Sequence, residues 1–384
     1  MAAKATDYNS RLSKWLPAKN GFAHTFQVHQ YAMTWTFAEY EGADRLWDRG
    51  LNAELLPYLD TLIEITDVDT TTLKLSNGSS AEVPTVPGPL TLTNNSAADL
   101  AHLADGSVEC VNIDPPYYDN VMYAELADFF YVWEKRTLGQ LRPDQFDAEL
   151  TDKEAEAVAN IVRFDHLKGK AKKQAANLDY QSKMRDIFAE ARRVLRDDGA
   201  LVVWFTHKKA DAWDTLGAAI MDAGFTIETS WPINTEAQVS LHQAKVNAAK
   251  STIILVCRKR KTRDEDHIVF FEDIVAEIRA AARQAAEDFA DVVGAGGVDL
   301  LLSTYGPALS VLSSNWPVMS SEADAAGNAI PLRPEEALNV ARGEVSRLRI
   351  ARLVGEARQF DPTTDFVLIA WDTYRAKGFP YDEA

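Results

Sequence analysis

Cysteine is scarce in this chain. There are two in 384 residues, Cys110 and Cys257, far apart and in no C-x-x-C pair. That excludes a disulfide framework and a thiolate zinc site. The seven histidines are scattered and imply no metal. No apolar run approaches the roughly eighteen residues of a membrane span. No basic stretch followed by an apolar one opens the chain, so a signal peptide is not expected and a cytoplasmic location is. Internal repeats and low-complexity tracts are absent too. Positive charge is in deficit, with 40 Lys and Arg against 57 Asp and Glu, a formal net charge of -17 and a pI near 4.9. The field of the whole molecule would repel a polyanion, so any contact with nucleic acid has to be local. The densest basic run is RFDHLKGKAKK, where Arg163, Lys168, Lys170, Lys172 and Lys173 meet one acid, Asp165. It reads either as a phosphate-facing surface or as a solvated helix face.

Apolar residues make up 46% of the chain, enough at this length for a sizeable core and more than one domain. Residues 1–80 are aromatic-rich, and the spacing of Phe22, Phe26, Tyr31, Trp35, Phe37, Tyr40 and Trp47 predicts a helix on an apolar partner. The segment 66–89 is turn-rich and predicts a loop or short hairpin. A regular pattern occupies 81–261. LTLTN at 90–94 and VECVNI at 108–113 read as strands, with a short helical turn over SAADLAHL between them. Gln181–Leu195 reads as an amphipathic helix closed by RDDG. It is followed by strand ALVVWFTH, helix AWDTLGAAIMDAGF, and the strands TIETSWPI and STIILVCRKR, close enough to form a hairpin. This alternation predicts an α/β fold with a parallel sheet. Residues 262–384 are mainly helical, beginning with FEDIVAEIRAAARQAAEDFADVV.

The stretch NIDPPYYDN stands at the end of VECVNI. Proline has no N–H to give a ladder, so the strand stops there and Asp114 lies at its C-terminal edge. In open α/β sheets that edge is where ligands bind. An acid followed by two prolines and an aromatic ring suits methyl transfer to the exocyclic amine of a nucleobase. The Asp114 carboxylate and the Pro115 carbonyl can accept the two amino hydrogens and turn the nitrogen lone pair toward a methyl donor. The prolines, Pro115 and Pro116, hold that carbonyl in place. Tyr117 offers a face on which a flipped base can stack. Orientation and electrostatics would then carry the chemistry without a metal or a covalent intermediate. The alternative is a plain strand-ending turn with packed tyrosines. Tyr118, Asp119 and Asn120 could shape a base pocket, while Asp119 and Asn120 could equally cap the helix NVMYAELADFFYVW, in which Phe129, Phe130 and Trp133 read as core. His207 and Lys208 follow the next parallel strand at the same edge and could touch substrate, or equally serve a structural or DNA-phosphate role. His24 and His29 read as packing residues, and the basic tail CRKRKTR at 257–263 as a charged sheet edge.

These segments, DPPYYDNVMYAELADFFYVWEKRTLG with NGFAHTFQVHQYAMTWTFAEYEGA, WPINTEAQVSL and LVCRKR, resemble the large prokaryotic DPPY-type adenine-specific DNA methyltransferases, the family whose full-length members include a zinc-ribbon insert. The resemblance implies a Rossmann-like, three-layer α/β/α methyltransferase core over 81–261 with helical additions. S-adenosyl-L-methionine would be the donor and adenine in DNA the acceptor. Asp114, Pro115, Pro116 and Tyr117 match the catalytic tetrad. Ser96 and Ala97, with Asp114, fall where such enzymes approach the cofactor. The family's glycine-rich turn, D-P-F-x-G-x-G, has no counterpart in residues 1–90. The one glycine cluster, VVGAGGVDLL at 292–301, follows a helical run and reads as a helix-to-helix loop. The zinc-ribbon cysteines are missing as well. The expectation is therefore the catalytic part of a split or truncated methyltransferase, acting with DNA and with a second polypeptide that carries the cofactor half. The competing readings are a non-catalytic DNA-modification or defence subunit that keeps the fold, and a methyltransferase for another base amine.

Overall fold

The computed structural model describes residues 14–16, 21–23, 72–74, 80–82, 93, 95–235, 251–261, 268–293, 298–323, 329–355 and 360–374. They fall in two compact units, 1–94 with 122–156 and 95–121 with 157–384.

In the first unit, β1 (Lys14–Leu16) pairs antiparallel with β2 (Gly21–Ala23), and β3 (Thr72–Lys74) with β4 (Ser80–Glu82). The second pair is the hairpin expected within 66–89. Phe22 lies in a strand rather than in the expected aromatic helix, most of which, with His24 and His29, is outside the described residues. Helix α1 (Tyr123–Leu138) has no fully buried residue; Phe129 and Phe130 are half-buried and meet edge-on at 5.2 Å, whereas Trp133, expected in the core, is 45% exposed. Its N-cap is Met122, with no side-chain cap, so neither Asp119 nor Asn120 caps it.

The second unit is built on four strands: β5 (Val108–Ile113), β6 (Leu195–Phe205), β7 (Phe225–Asn234) and β8 (Ser251–Lys259), in the order β5-β6-β8-β7. β5 and β6 are parallel, and β8 runs antiparallel to both β6 and β7. The expected hairpin forms and places its return strand inside the sheet. β8 is therefore no edge, and its basic tail serves another purpose. Arg258 pairs with Glu228 at 3.1 Å, Lys259 with Asp197 at 3.0 Å, and Arg260 donates to the carbonyls of Met221 and Phe225.

Helix α2 (Gly169–Val194) joins β5 to β6, and α3 (Ala210–Asp222) joins β6 to β7. α2 starts in the basic run, twelve residues before the expected Gln181, and RDDG opens β6 instead of closing the helix. The stretch 96–103 forms turns rather than a helix, and Thr93, the one described residue of LTLTN, is in no strand. Both crossovers advance the same way along the sheet, so right-handed connections put both helices on one face. On that face Leu201, Val203, Phe205, Leu255, Cys257 and Ile227 form one core with Met184 and Phe188 of α2 and Trp213 and Leu216 of α3. Helices α4 (Phe271–Val293), α5 (Val298–Ser314) and α6 (Pro334–Val354) add to the same side, and α7 (Pro362–Tyr374) follows. α5 reaches the sheet at Gly306, where a β-carbon would lie 2.0 Å from Ser230 Oγ, so only glycine lets this helix come so close. Ser313 Oγ accepts from the backbone N–H of Ile227 at a β7 irregularity. Asp214, buried in α3, accepts from Arg333 and from the N–H of Glu335, tying α3 to the start of α6. β9 (Val269–Phe270), β10 (Val318–Ala323) and β11 (Ala329–Pro331) make a small separate sheet.

On the other face of the main sheet Trp231 is 54% exposed and Ile233 39%. The α/β class holds, but the expected α/β/α layering is not formed by the described residues of this unit, whose sheet-packing helices lie on one side. The physical reason is direction: every described crossover moves away from β5, and only connections winding the other way would cover the second face. Residues 294–297 of the glycine cluster lie outside the described residues, with helix on both sides, α4 and α5.

Candidate active site

β5 and β6 stay paired up to Ile113 and Val203, so their exits lie side by side. Asp114, the first residue past the ladder, is exposed, Pro115 is buried, and Pro116 and Tyr117 are half-buried. Among the described residues nothing hydrogen-bonds to the Asp114 carboxylate or to the Pro115 carbonyl. The Pro116 carbonyl is occupied twice, by the N–H of Tyr118 at 2.9 Å and by the Tyr180 hydroxyl at 3.0 Å. Of the two proline carbonyls, only the second has a hydrogen-bond partner among the described residues.

The turn is held by a residue in an uncommon conformation. Tyr118 has φ +56°, the left-handed region that costs a residue with a β-carbon about 1 kcal/mol or more and persists only where the surroundings impose it. They do so here. The Tyr118 ring is 1% exposed and meets Tyr180 and His207 edge-on at 5.4 and 5.6 Å. Its hydroxyl donates to Asn177 Oδ1 at 2.5 Å, and its carbonyl accepts from the N–H of Ala159 at 3.0 Å. Burial, then the charges of Asp211 and Asp119, push its phenol above the ordinary range, so it stays a donor. Tyr118 therefore anchors the loop and does not face a base, contrary to the pocket role expected of it. Tyr117 meets Phe205 edge-on at 5.7 Å, which leaves it partly open.

Asp119 looks back to the exit of β6. It accepts from His207 Nε2 at 3.1 Å and from Lys209 Nζ at 2.5 Å. Burial alone would raise its carboxyl, but the His207 and Lys209 hydrogen bonds and the Lys209 charge outweigh it and bring the group down to about 2. His207 Nδ1 accepts from the N–H of Lys209 at 3.1 Å, which assigns the ring proton to Nε2. Trp213 Nε1 donates to the His207 carbonyl at 2.8 Å. His207 is 4% exposed, so it braces the two strand exits and does not touch substrate as expected. Lys208 and Asn120 are exposed at the same edge.

Two members of this constellation, Asn177 and Tyr180, were not anticipated. They come from α2, on the stripe that continues as Met184, Phe188 and Ala191. The signal was an asparagine and a tyrosine on an otherwise apolar face at helical spacing.

Ser96 and Ala97 are not brought to this site by any hydrogen bond among the described residues. They sit in an exposed turn in which Ser96 Oγ accepts from the N–H of Ala98. The chain beyond is fixed to the last turns of α2, where the N–H of Leu100 donates to Glu190 and Arg193 donates to the Leu100 carbonyl. That is the end of the helix where β6 begins, opposite to Asp114. No glycine-rich turn follows any of the four strands among the described residues. These residues therefore fit an acceptor site, and do not fit a cradle for S-adenosylmethionine. Among them there is also no group of three His, Cys, Asp or Glu placed to hold a metal, and no helix long and apolar enough to cross a membrane.

No protein-family model matches the chain, and no curated protein matches its sequence.

Proposed function

We propose that this chain provides the acceptor side of an adenine-specific DNA methyltransferase. One observation carries the reading: at the exit of β5 an exposed carboxylate, Asp114, stands next to a carbonyl, Pro115, that nothing among the described residues occupies, while the next carbonyl is taken twice. Two acceptors on one rigid turn suit the two hydrogens of an exocyclic amine. Accepting both favours a pyramidal nitrogen whose lone pair points away from the ring. The rigidity comes from proline and from the Tyr118, Asn177 and Tyr180 contacts, so the acceptors need not reorganise during reaction. Tyr117, half-buried beside the two prolines, is the ring this reading assigns to stacking with a flipped base. The site also lies beyond the carboxyl ends of the parallel strands β5 and β6, the edge of open α/β sheets at which ligands bind.

S-adenosylmethionine, the donor in this reading, would supply a sulfonium methyl. Its binding half belongs outside the described residues, on a second polypeptide or elsewhere in this chain. Calorimetric titration of the chain alone is expected to give weak or no binding, and tight one-to-one binding would count against a split. A non-catalytic modification or defence subunit is the second reading, favoured by the lack of a donor cradle among the described residues. One experiment separates them. The chain is expressed with its neighbouring genes in a host lacking adenine methylation, and N6-methyladenine in total DNA is measured by mass spectrometry. The base is expected with the native chain and should fall at least about 10²–10³-fold with Asp114→Ala. Equal levels with Asp114→Ala would exclude Asp114 as the orienting group, and its absence with the native chain would favour the second reading.

A further inference from the structure

The stripe of α2 that packs on the sheet changes character past the sheet's edge. Tyr180, Met184, Phe188 and Ala191 are buried in the core. One turn earlier Asn177 bonds the Tyr118 hydroxyl, and before it the same spacing of three and four residues brings Lys173 and Lys170. Three bonds fix this overhang at the Asp114 side of the sheet: Tyr180 to the Pro116 carbonyl, Asn177 to Tyr118, and Lys173 to Asp211 in the first turn of α3 at 2.6 Å. Lys170 stands about 15 Å along the helix from Tyr180, at 1.5 Å per residue. Lys168 and Lys170 are exposed, as is Lys208 at the exit of β6, and none of the three has an ion pair among the described residues. Lys173 and its partner Asp211 are both about half exposed, 59% and 43%. Exposed pairs of that kind contribute about 1 kcal/mol or less and yield readily to a phosphate. Lys172 is committed to Asp165, and Lys209 to Asp119.

We infer that Lys168, Lys170, Lys173 and Lys208 form a track for the phosphodiester backbone of DNA beside the Asp114 site, on a molecule whose overall charge would otherwise repel it. The inference rests on the proposed function and adds which surface holds the substrate strand. Its ligand is recognised by charge alone, so binding should be independent of base sequence and sensitive to salt.

The test is fluorescence anisotropy of the full chain with a labelled duplex of arbitrary sequence over a range of salt, with no donor present. The native chain should bind, and the triple variant Lys170→Glu, Lys173→Glu, Lys208→Glu should bind at least tenfold more weakly. Its slope of log affinity on log salt should be shallower by about three, close to one per lost phosphate contact. Arg185→Glu, an exposed charge reversal farther along α2, should leave both quantities near the native values. A triple variant that binds with native affinity and slope would overturn the track and leave the methyltransferase reading standing. A native chain that does not bind duplex DNA would overturn the track and count against the acceptor role as well. Loss of N6-methyladenine with retained lysine-dependent binding would instead count against the chemistry and not the track.

Discussion

The two ends of the same four strands are built on opposite principles. At the end where β5 and β6 begin, most of the described charges have a partner. Arg193 donates to Glu190, Asp105 and two backbone carbonyls, Arg196 to Glu109 and Asp198, and Lys259 pairs with Asp197. An open hollow of about 470 Å³ lies there, bordered by Asp105, Arg192, Arg193, Asp197 and Lys259, but most of its charges already answer one another. At the other end the polar groups are spent on one loop, through Asn177, Tyr180, His207 and Lys209, and Asp114 is left over. An edge that holds a fold together saturates its own charges. An edge that serves a ligand fixes its backbone and leaves a few groups unmatched.

That contrast can be broken most sharply at one charged residue of each end, Asp114 and Arg193. Asp114→Ala is expected to abolish adenine methylation while leaving the circular dichroism spectrum and melting temperature unchanged. Arg193→Ala should lower the melting temperature and leave DNA affinity at the native value. If the two variants exchanged these phenotypes, the roles of the edges would be reversed. Removing the loop's anchor comes next. Tyr118→Ala deletes a buried ring and should cost about 3 kcal/mol in urea unfolding. Tyr180→Phe is subtler, because it removes only the hydroxyl that holds the Pro116 carbonyl. Stability should drop by about 1 kcal/mol, and turnover should fall more than substrate affinity, which separates positioning from folding. A loss in affinity alone would assign Tyr180 to binding.

The last effect is on pH and is confined to acid conditions. Asp119 sits at about 2 in the folded chain against an ordinary 3.8. A lowered carboxyl contributes stability that is complete above its unfolded value and disappears as pH falls through the folded one. The contribution should therefore fade between about pH 4 and pH 2, by at most about 2 kcal/mol because the side chain is partly exposed. Acid titrations of the native chain and Asp119→Asn should converge across that window, and curves that stay parallel would remove Asp119 from the loop's support.

The strand VECVNI, its arrest by two prolines, the position of Asp114 and the helix-strand alternation after it were legible because each depends on a few consecutive residues. Proline lacks a donor wherever it stands, and a period of 3.6 or 2 repeats within ten residues. The basic run was legible as charge, but not as the projecting end of α2. The reading of Asp119 as a helix cap and of His207 as a substrate contact failed for one reason. Each residue's partner is the other, 88 positions away, and local spacing carries no record of such a bond.

By itself the sequence determined which residues leave a strand, which faces are apolar, and that two acceptors would lie together on a turn that proline makes stiff. The tertiary structure alone decided that among the described residues the Pro116 carbonyl is capped and the Pro115 carbonyl is not, that Tyr118 takes a left-handed conformation, that β8 inserts between β6 and β7, and that α2 reaches the loop after Asp114 through Asn177 and Tyr180. Those outcomes depend on which segments meet after the chain has folded, and packing energy between distant residues sets that.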